Sequence, residues 1–75
     1  MQILMPQLND AGDPGSVQEI FIAVGDVLAA GDPVMAVEME KAVIEIEADR
    51  AGTVKRVAVQ VGDEVKVGQV LVELE

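Results

Sequence analysis

Val34-Met35-Ala36-Val37-Glu38-Met39-Glu40-Lys41-Ala42-Val43-Ile44-Glu45-Ile46-Glu47-Ala48 reads as β-strand from end to end and holds no Gly, Pro, Asn or Asp. Fifteen residues is long for one strand in a small domain, where about five or six is typical. The run is therefore expected to fold back on itself near its middle, at Met39-Glu40-Lys41-Ala42. A lysine at the tip of such a hairpin points away from its own core. Lys41 would then offer a primary amine for modification.

An internal duplication supports a reversal at that point. Gly15 falls on Gly52, an offset of 37 residues (52 − 15 = 37), and the same offset places Val17 on Val54, Ile20 on Val57 and Ile22 on Val59. Val24-Gly25-Asp26 falls on Val61-Gly62-Asp63, Gly31 on Gly68, Val37 on Leu74 and Glu38 on Glu75. The repeat spans 15–38 and 52–75 without a gap, and its period suits a repeated supersecondary unit. The second copy ends its strand at Glu75, so the first is expected to end at Glu38. Lys41 and the chain termini are then expected at opposite ends of a pseudo-twofold figure.

The chain is read as one domain, 1–75, that looks trimmed from something larger. It has no cysteine and no histidine, and Ser16 is its only serine. Those counts exclude disulfides, thiol metal sites and nucleophilic triads within this chain. The formal net charge of −9 and the single aromatic residue, Phe21, argue against a nucleic-acid surface. No apolar run is long enough to span a membrane, and no signal-peptide pattern opens the chain. The acidity as a whole reads as solubility. Glu38, Glu40, Glu45 and Glu47, close to Lys41, read better as a surface that meets basic partners.

Gly and Asp punctuation delimits main strands near 2–5, 16–24, 33–39, 42–48, 53–61 and 69–75, with short ones near 27–29 and 64–66. Ile44, Ile46 and Ala48 are expected inward, as are Val70, Val72 and Leu74. Val17 and Ile20 are three apart, as are Val54 and Val57, whereas Ile20/Ile22/Val24 and Val57/Val59/Val61 alternate. A matching β-bulge in both copies accounts for the break. Gly25, Gly31, Gly62 and Gly68 are expected to form turns at positive φ, and Met5, Met35 and Met39 to fill the core or its edge. The fold class that follows is all-β: a flattened barrel or sandwich of two roughly four-stranded antiparallel sheets related by a pseudo-twofold.

Glu38-Met39-Glu40-Lys41-Ala42 resembles the attachment motif of lipoyl domains, in which acidic, variable, acidic, lysine and alanine positions follow in order. Ile44-Glu45-Ile46-Glu47-Ala48, Ala51-Gly52-Thr53-Val54-Lys55, Val24-Gly25-Asp26-Val27, Gly31-Asp32-Pro33-Val34 and Met5-Pro6-Gln7-Leu8 are also similar to that family. The likeness covers essentially the whole chain. It implies lipoate in amide linkage on Lys41 of a barrel-sandwich domain that catalyses nothing itself. It implies a swinging arm in a 2-oxo acid dehydrogenase complex, whose parent chain is expected to be a dihydrolipoamide acyltransferase. The implied partners are a lipoyl ligase, a 2-oxo acid dehydrogenase (E1), the acyltransferase core (E2) and dihydrolipoamide dehydrogenase (E3). The isolated domain is expected to be a monomer, in the cytoplasm of a bacterium or the mitochondrial matrix. Glu38, Glu40 and Ala42 would be read by the ligase. Asn9, Asp10 and Asp13, in the turn-rich loop before the repeat, would help the dehydrogenase recognise its carrier.

The nearest rival is the biotinyl carboxyl-carrier domain, with biotin on Lys41. Biotin sites usually place methionine on both sides of the lysine, where this chain has Glu40 and Ala42; Met39 lies one position too early. The glycine-cleavage hydrogen carrier is longer and helical, and adaptor domains of efflux systems usually lack the lysine. A plain solvated lysine at a hairpin tip, flanked by carboxylates that keep an edge soluble, is the ordinary alternative. The neighbouring carboxylates favour the charged amine. Lys41 is thus not self-activating, and its deprotonation falls to the ligase.

Overall fold

The computed structural model describes residues 1–40 and 42–75. Among the described residues there are eight strands: β1 Gln2–Leu4, β2 Gly15–Ile20, β3 Val27–Leu28, β4 Pro33–Met39, β5 Ala42–Glu47, β6 Gly52–Val57, β7 Glu64–Val65 and β8 Val70–Leu74. They form two four-stranded antiparallel sheets, ordered β1-β8-β6-β3 and β5-β4-β2-β7. This is the expected all-β architecture. Shifting β2, β3 and β4 by the repeat offset gives β6, β7 and β8, so each sheet maps onto the other.

The duplication extends to single hydrogen bonds. Gly25 N–H donates to Val54 O and Val54 N–H to Asp26 O, both at 2.8 Å. In the other copy Gly62 N–H donates to Val17 O at 2.8 Å and Val17 N–H to Asp63 O at 2.9 Å. The carboxylates of Asp26 and Asp63 close their own turns by accepting from Ala23 N–H at 2.9 Å and Gln60 N–H at 2.8 Å. Asp32 and Gln69 do the same for Ala29 and Lys66, at 2.9 and 3.1 Å. Each side chain takes up a backbone donor that a tight turn would otherwise leave to water.

The expected bulge is present in both copies. Register shifts between Val17 and Glu19 on β2 and between Val54 and Arg56 on β6, so Gln18 and Lys55 are the extra residues. A second matched pair was not foreseen. Register also shifts between Pro33 and Met35, and β8 pairs Val70 and Val72 with the consecutive Leu4 and Ile3. Val34 and Leu71 are therefore extra residues, and both are fully buried. The bulge turns consecutive apolar residues inward where strict alternation would send one out. The inward assignment of Val70, Val72 and Leu74 is thus incomplete, since Leu71 joins them and Val70 is only half-buried.

The long strands end earlier than expected. β2 stops at Ile20 and β6 at Val57, and Val24 and Val61 are exposed at 67% and 62%. The chain leaves each sheet to make the Asp26 and Asp63 turns, and their hydrogen bonds replace the ladder. Ile22 and Val59 still pack on or in the core. That core is aliphatic and pairs residues across the duplication: Val17 with Val54, Leu28 with Val65, Met35 with Val72, Val37 with Leu74. Met5, Met35 and Met39 belong to it.

The strand path sets the two ends of the molecule. Gly15 begins β2 beside Met39 and Glu38. β2 then runs away from them until Gly25 and Asp26 meet Val54. Nearby, Gly52 packs on Leu74, and Glu75 N–H donates to Thr53 O at 2.8 Å. The amino terminus donates to Leu74 O at 3.0 Å. The termini thus sit together, at the far end of the strands from the β4–β5 hairpin.

Candidate functional site: the β4–β5 hairpin

β4 and β5 pair without a gap from Ala36↔Glu45 through Val37↔Ile44 and Glu38↔Val43 to Met39↔Ala42. Only positions 40 and 41 lie between the last pair, so the reversal falls where the sequence places it. Lys41 lies outside the described residues. Glu40 has φ +48°, the one non-glycine residue at positive φ among those described. That left-handed conformation is what a two-residue hairpin loop demands at its first position in the commonest, type I′, turn. It costs an L-residue with a long side chain roughly 1–2 kcal/mol.

What fixes the hairpin is the layer beneath it. Met39 is buried and touches the site of Gly15. A Cβ at Gly15 would run into Val37 Cγ1, and would lie 3.2 Å from Met39 Cγ and 3.3 Å from Glu38 O. The absence of a side chain at 15 therefore lets β2 close on β4 under the tip. Glu38, Glu40, Ala42 and Val43 are all exposed around it. The residues flanking position 41 are thus held by a packed floor and open to solvent above. That arrangement suits a group tethered through an amide and free to reach other proteins.

The loop between β1 and β2 is organised by its own side chains. Asn9 Nδ2 donates to Asp13 Oδ2 at 3.2 Å, Asp13 N–H returns to Asn9 Oδ1 at 3.1 Å, and Gln7 Nε2 reaches Asn9 O at 3.0 Å. Gln7 Nε2 also reaches Asp10 O at 3.3 Å. Asn9 and Asp13 therefore spend side-chain hydrogen bonds on each other. Asp10 leaves its exposed carboxylate outward. The loop feeds into Gly15 and hence delivers its end to the hairpin side of the molecule.

Similarity to known proteins agrees with this arrangement. A biotin–lipoyl family model, described as "Biotin-requiring enzyme", matches residues 1–74. The chain belongs to the biotin–lipoyl family. It is 36% identical over 92% of its length to the dihydrolipoyllysine-residue acetyltransferase component of the pyruvate dehydrogenase complex from Azotobacter vinelandii, covering 11% of that protein. It is 37% identical over 83% of its length to pyruvate carboxylase from Staphylococcus aureus, covering 5% of it. The fold is that of the lipoyl domain of the Azotobacter vinelandii 2-oxoglutarate dehydrogenase complex. The TM-score is 0.76 at 23% identity, over 100% of this chain and 95% of that one. The chain spans about a tenth of the length of the acetyltransferase relative.

Proposed function

We propose that this biotin–lipoyl domain is a lipoyl carrier, with lipoate amide-linked to Lys41, in the acyltransferase chain of a pyruvate-type 2-oxo acid dehydrogenase complex. The carrying observation is the Met39↔Ala42 closure, which leaves only Glu40 and Lys41 between the two strands, with Glu40 and Ala42 exposed on either side of the lysine in sequence. Lys41 would hold the lipoyl group, which when bound would supply a dithiolane able to take up an acyl group with reduction to the dithiol and to be reoxidised after passing that acyl group on. The protein's own part is positional. The Gly15–Val37–Met39 floor holds the hairpin, and tethering raises the local concentration of the group at each active site.

Glu38, Glu40 and Ala42 are the residues that a lipoyl ligase reads. Asn9 and Asp13 hold the shape of the β1–β2 loop, and Asp10 is its exposed charge toward the dehydrogenase. The isolated domain is a monomer, and the complex works in the bacterial cytoplasm or the mitochondrial matrix. The second reading, biotin on Lys41, draws on the pyruvate carboxylase relative. It is disfavoured by Glu40 and Ala42 where biotin sites usually have methionine.

The functional test is reductive acetylation. The lipoylated chain is incubated with pyruvate and the dehydrogenase component of a bacterial pyruvate dehydrogenase complex, and acetyl incorporation is followed by mass. The carrier reading expects one acetyl group per lipoylated domain and none for Lys41→Arg. A lipoylated domain that never takes an acetyl group would remove the role in the complex.

A further inference from the structure

The pseudo-twofold lets the outer faces of the two sheets be compared position by position. On β5-β4-β2-β7, cross-strand partners share a face. One outward row reads Glu64, Ser16, Glu38, Val43, and the next reads Glu19, Ala36, Glu45. Glu47 follows opposite Pro33. Five carboxylates stand on this face. The twin face carries Val27 where this one has Glu64, Thr53 for Ser16, Arg56 for Glu19 and Glu73 for Ala36. There Arg56 Nε meets Glu73 Oε2 at 2.7 Å, so the one outward carboxylate in that row is matched. Glu75 stands there for Glu38, so the twin face keeps a carboxylate of its own and differs chiefly in having Arg56 where this face has Glu19. The acidic sheet is the one that ends in the attachment hairpin.

The arrangement on the acidic face has a definite pitch. Strands lie about 4.8 Å apart, so residues two strands apart are separated by about 10 Å. Glu64 and Glu38 flank Ser16, and Glu19 and Glu45 flank Ala36. In each case the middle residue is small. An ammonium or guanidinium lowered onto the small residue comes within reach of a carboxylate on either side. The two floors lie on neighbouring strands, about 8 Å apart on the diagonal, given about 3.3 Å of rise per residue.

We propose that the outer face of the β5-β4-β2-β7 sheet is a docking surface for a protein partner that presents paired lysine or arginine side chains, received over Ser16 and Ala36 between flanking glutamates. Val43, 53% exposed at the end of the Ser16 row and next to the hairpin, gives the interface an apolar contact. The surface is continuous with the hairpin that a transfer enzyme must reach, and an acidic face steers a basic partner onto it. The inference rests on the carrier reading for its choice of partner, the E1 dehydrogenase.

The test uses the unlipoylated, 15N-labelled chain, so it reads docking whatever Lys41 carries. The dehydrogenase component of the Azotobacter vinelandii pyruvate dehydrogenase complex is titrated in at low salt, and amide signal loss is mapped. Losses are expected at Ser16, Glu19, Ala36, Glu38, Val43 and Glu45. E19Q/E45Q, on the Ala36 rung three pairs below the closing Met39↔Ala42 pair, should weaken binding by about tenfold, with the difference shrinking as salt is raised. E73Q/E75Q changes net charge equally on the other sheet and should leave affinity within about twofold of the parent. Equal weakening by both pairs would show that net charge alone matters and would overturn the proposal. So would signal loss confined to the hairpin and the β1–β2 loop, or no binding at all. Failure of lipoate to attach to Lys41 would instead remove the carrier reading and leave this titration result standing.

Discussion

Gly15 and Val37 are in such close approach that a methyl group on residue 15 would occupy the space of Val37 Cγ1. The relationship recurs at the other end of the molecule, where a Cβ on Gly52 would lie 3.2 Å from both Cβ and Cδ1 of Leu74. In both copies a glycine starts a strand so that its neighbour can bring a large aliphatic side chain across it. The two sites differ in severity, and that difference is testable.

Gly15→Ala forces Val37 from its position beneath the hairpin, an overpacking change that costs typically 1–3 kcal/mol. Gly52→Ala meets a gentler contact and should cost about 1 kcal/mol or less. Urea unfolding of both variants would check this, as a larger fall in midpoint for Gly15→Ala at an unchanged slope. Equal midpoints would mean that the hairpin floor is looser than the packing indicates.

The turn carboxylates offer a second comparison. Asp26→Ala and Asp63→Ala each remove an acceptor from a backbone N–H, and each should destabilise by about 1 kcal/mol. Because the two turns are structural twins, the two losses should agree within about 0.5 kcal/mol and add in the double variant. Denaturant midpoints for the three variants decide the matter. A strong inequality would show that the hydrogen-bond symmetry is not an energetic one.

Glu40 carries backbone strain at φ +48°. Asn tolerates the left-handed region better than Glu does. Glu40→Asn should therefore raise stability by about 0.5–1 kcal/mol, read as a higher urea midpoint. The same variant should be a poorer ligase substrate, because the carboxylate beside Lys41 is gone. Unchanged ligation at higher stability would confine Glu40 to a structural role.

Glu73 is the group with a definite pH signature. Its hydrogen bond from Arg56, and then the Arg56 charge, hold its carboxyl below the ordinary value of 4.5. A depressed folded value means that the pair's stabilisation is present above the unfolded value. It is lost as pH falls through the lower, folded one. A side-chain carbon titration by NMR should place the Glu73 midpoint below 4.5, and Arg56→Gln should return it to the ordinary range. No movement in Arg56→Gln would assign the shift to another neighbour.

Much of this molecule can be read from its sequence because the gene product nearly repeats itself. Val24-Gly25-Asp26 and Val61-Gly62-Asp63 announce matched turns, and the three-residue spacing of Val17–Ile20 and Val54–Val57 announces the Gln18 and Lys55 bulges. The adjacent apolar pairs Val34-Met35 and Leu71-Val72 carry the same kind of signal for the second bulge. They are masked because consecutive apolar residues also occur in any buried strand. Val24 and Val61 misled because turn residues can be apolar when Asp26 and Asp63 supply the hydrogen bonds. β1 and β5 are also counterparts. Met5 exchanges hydrogen bonds with Gly68 and Gln69 as Ala48 does with Gly31 and Asp32. Their offset is 43 (48 − 5 = 43), so a slide of 37 residues does not reveal it. At the site, the motif marked Glu38, Glu40 and Ala42. Glu19 and Glu64 entered only through cross-strand pairing with Ala36 and Ser16, which no local motif records.

The most direct test of the account is intact mass with peptide mapping after separate incubation with lipoyl ligase plus lipoate and biotin ligase plus biotin. The account predicts a single lipoyl adduct, on Lys41, and none from the biotin reaction. A biotin adduct on Lys41, or no adduct from the lipoyl ligase, would contradict it.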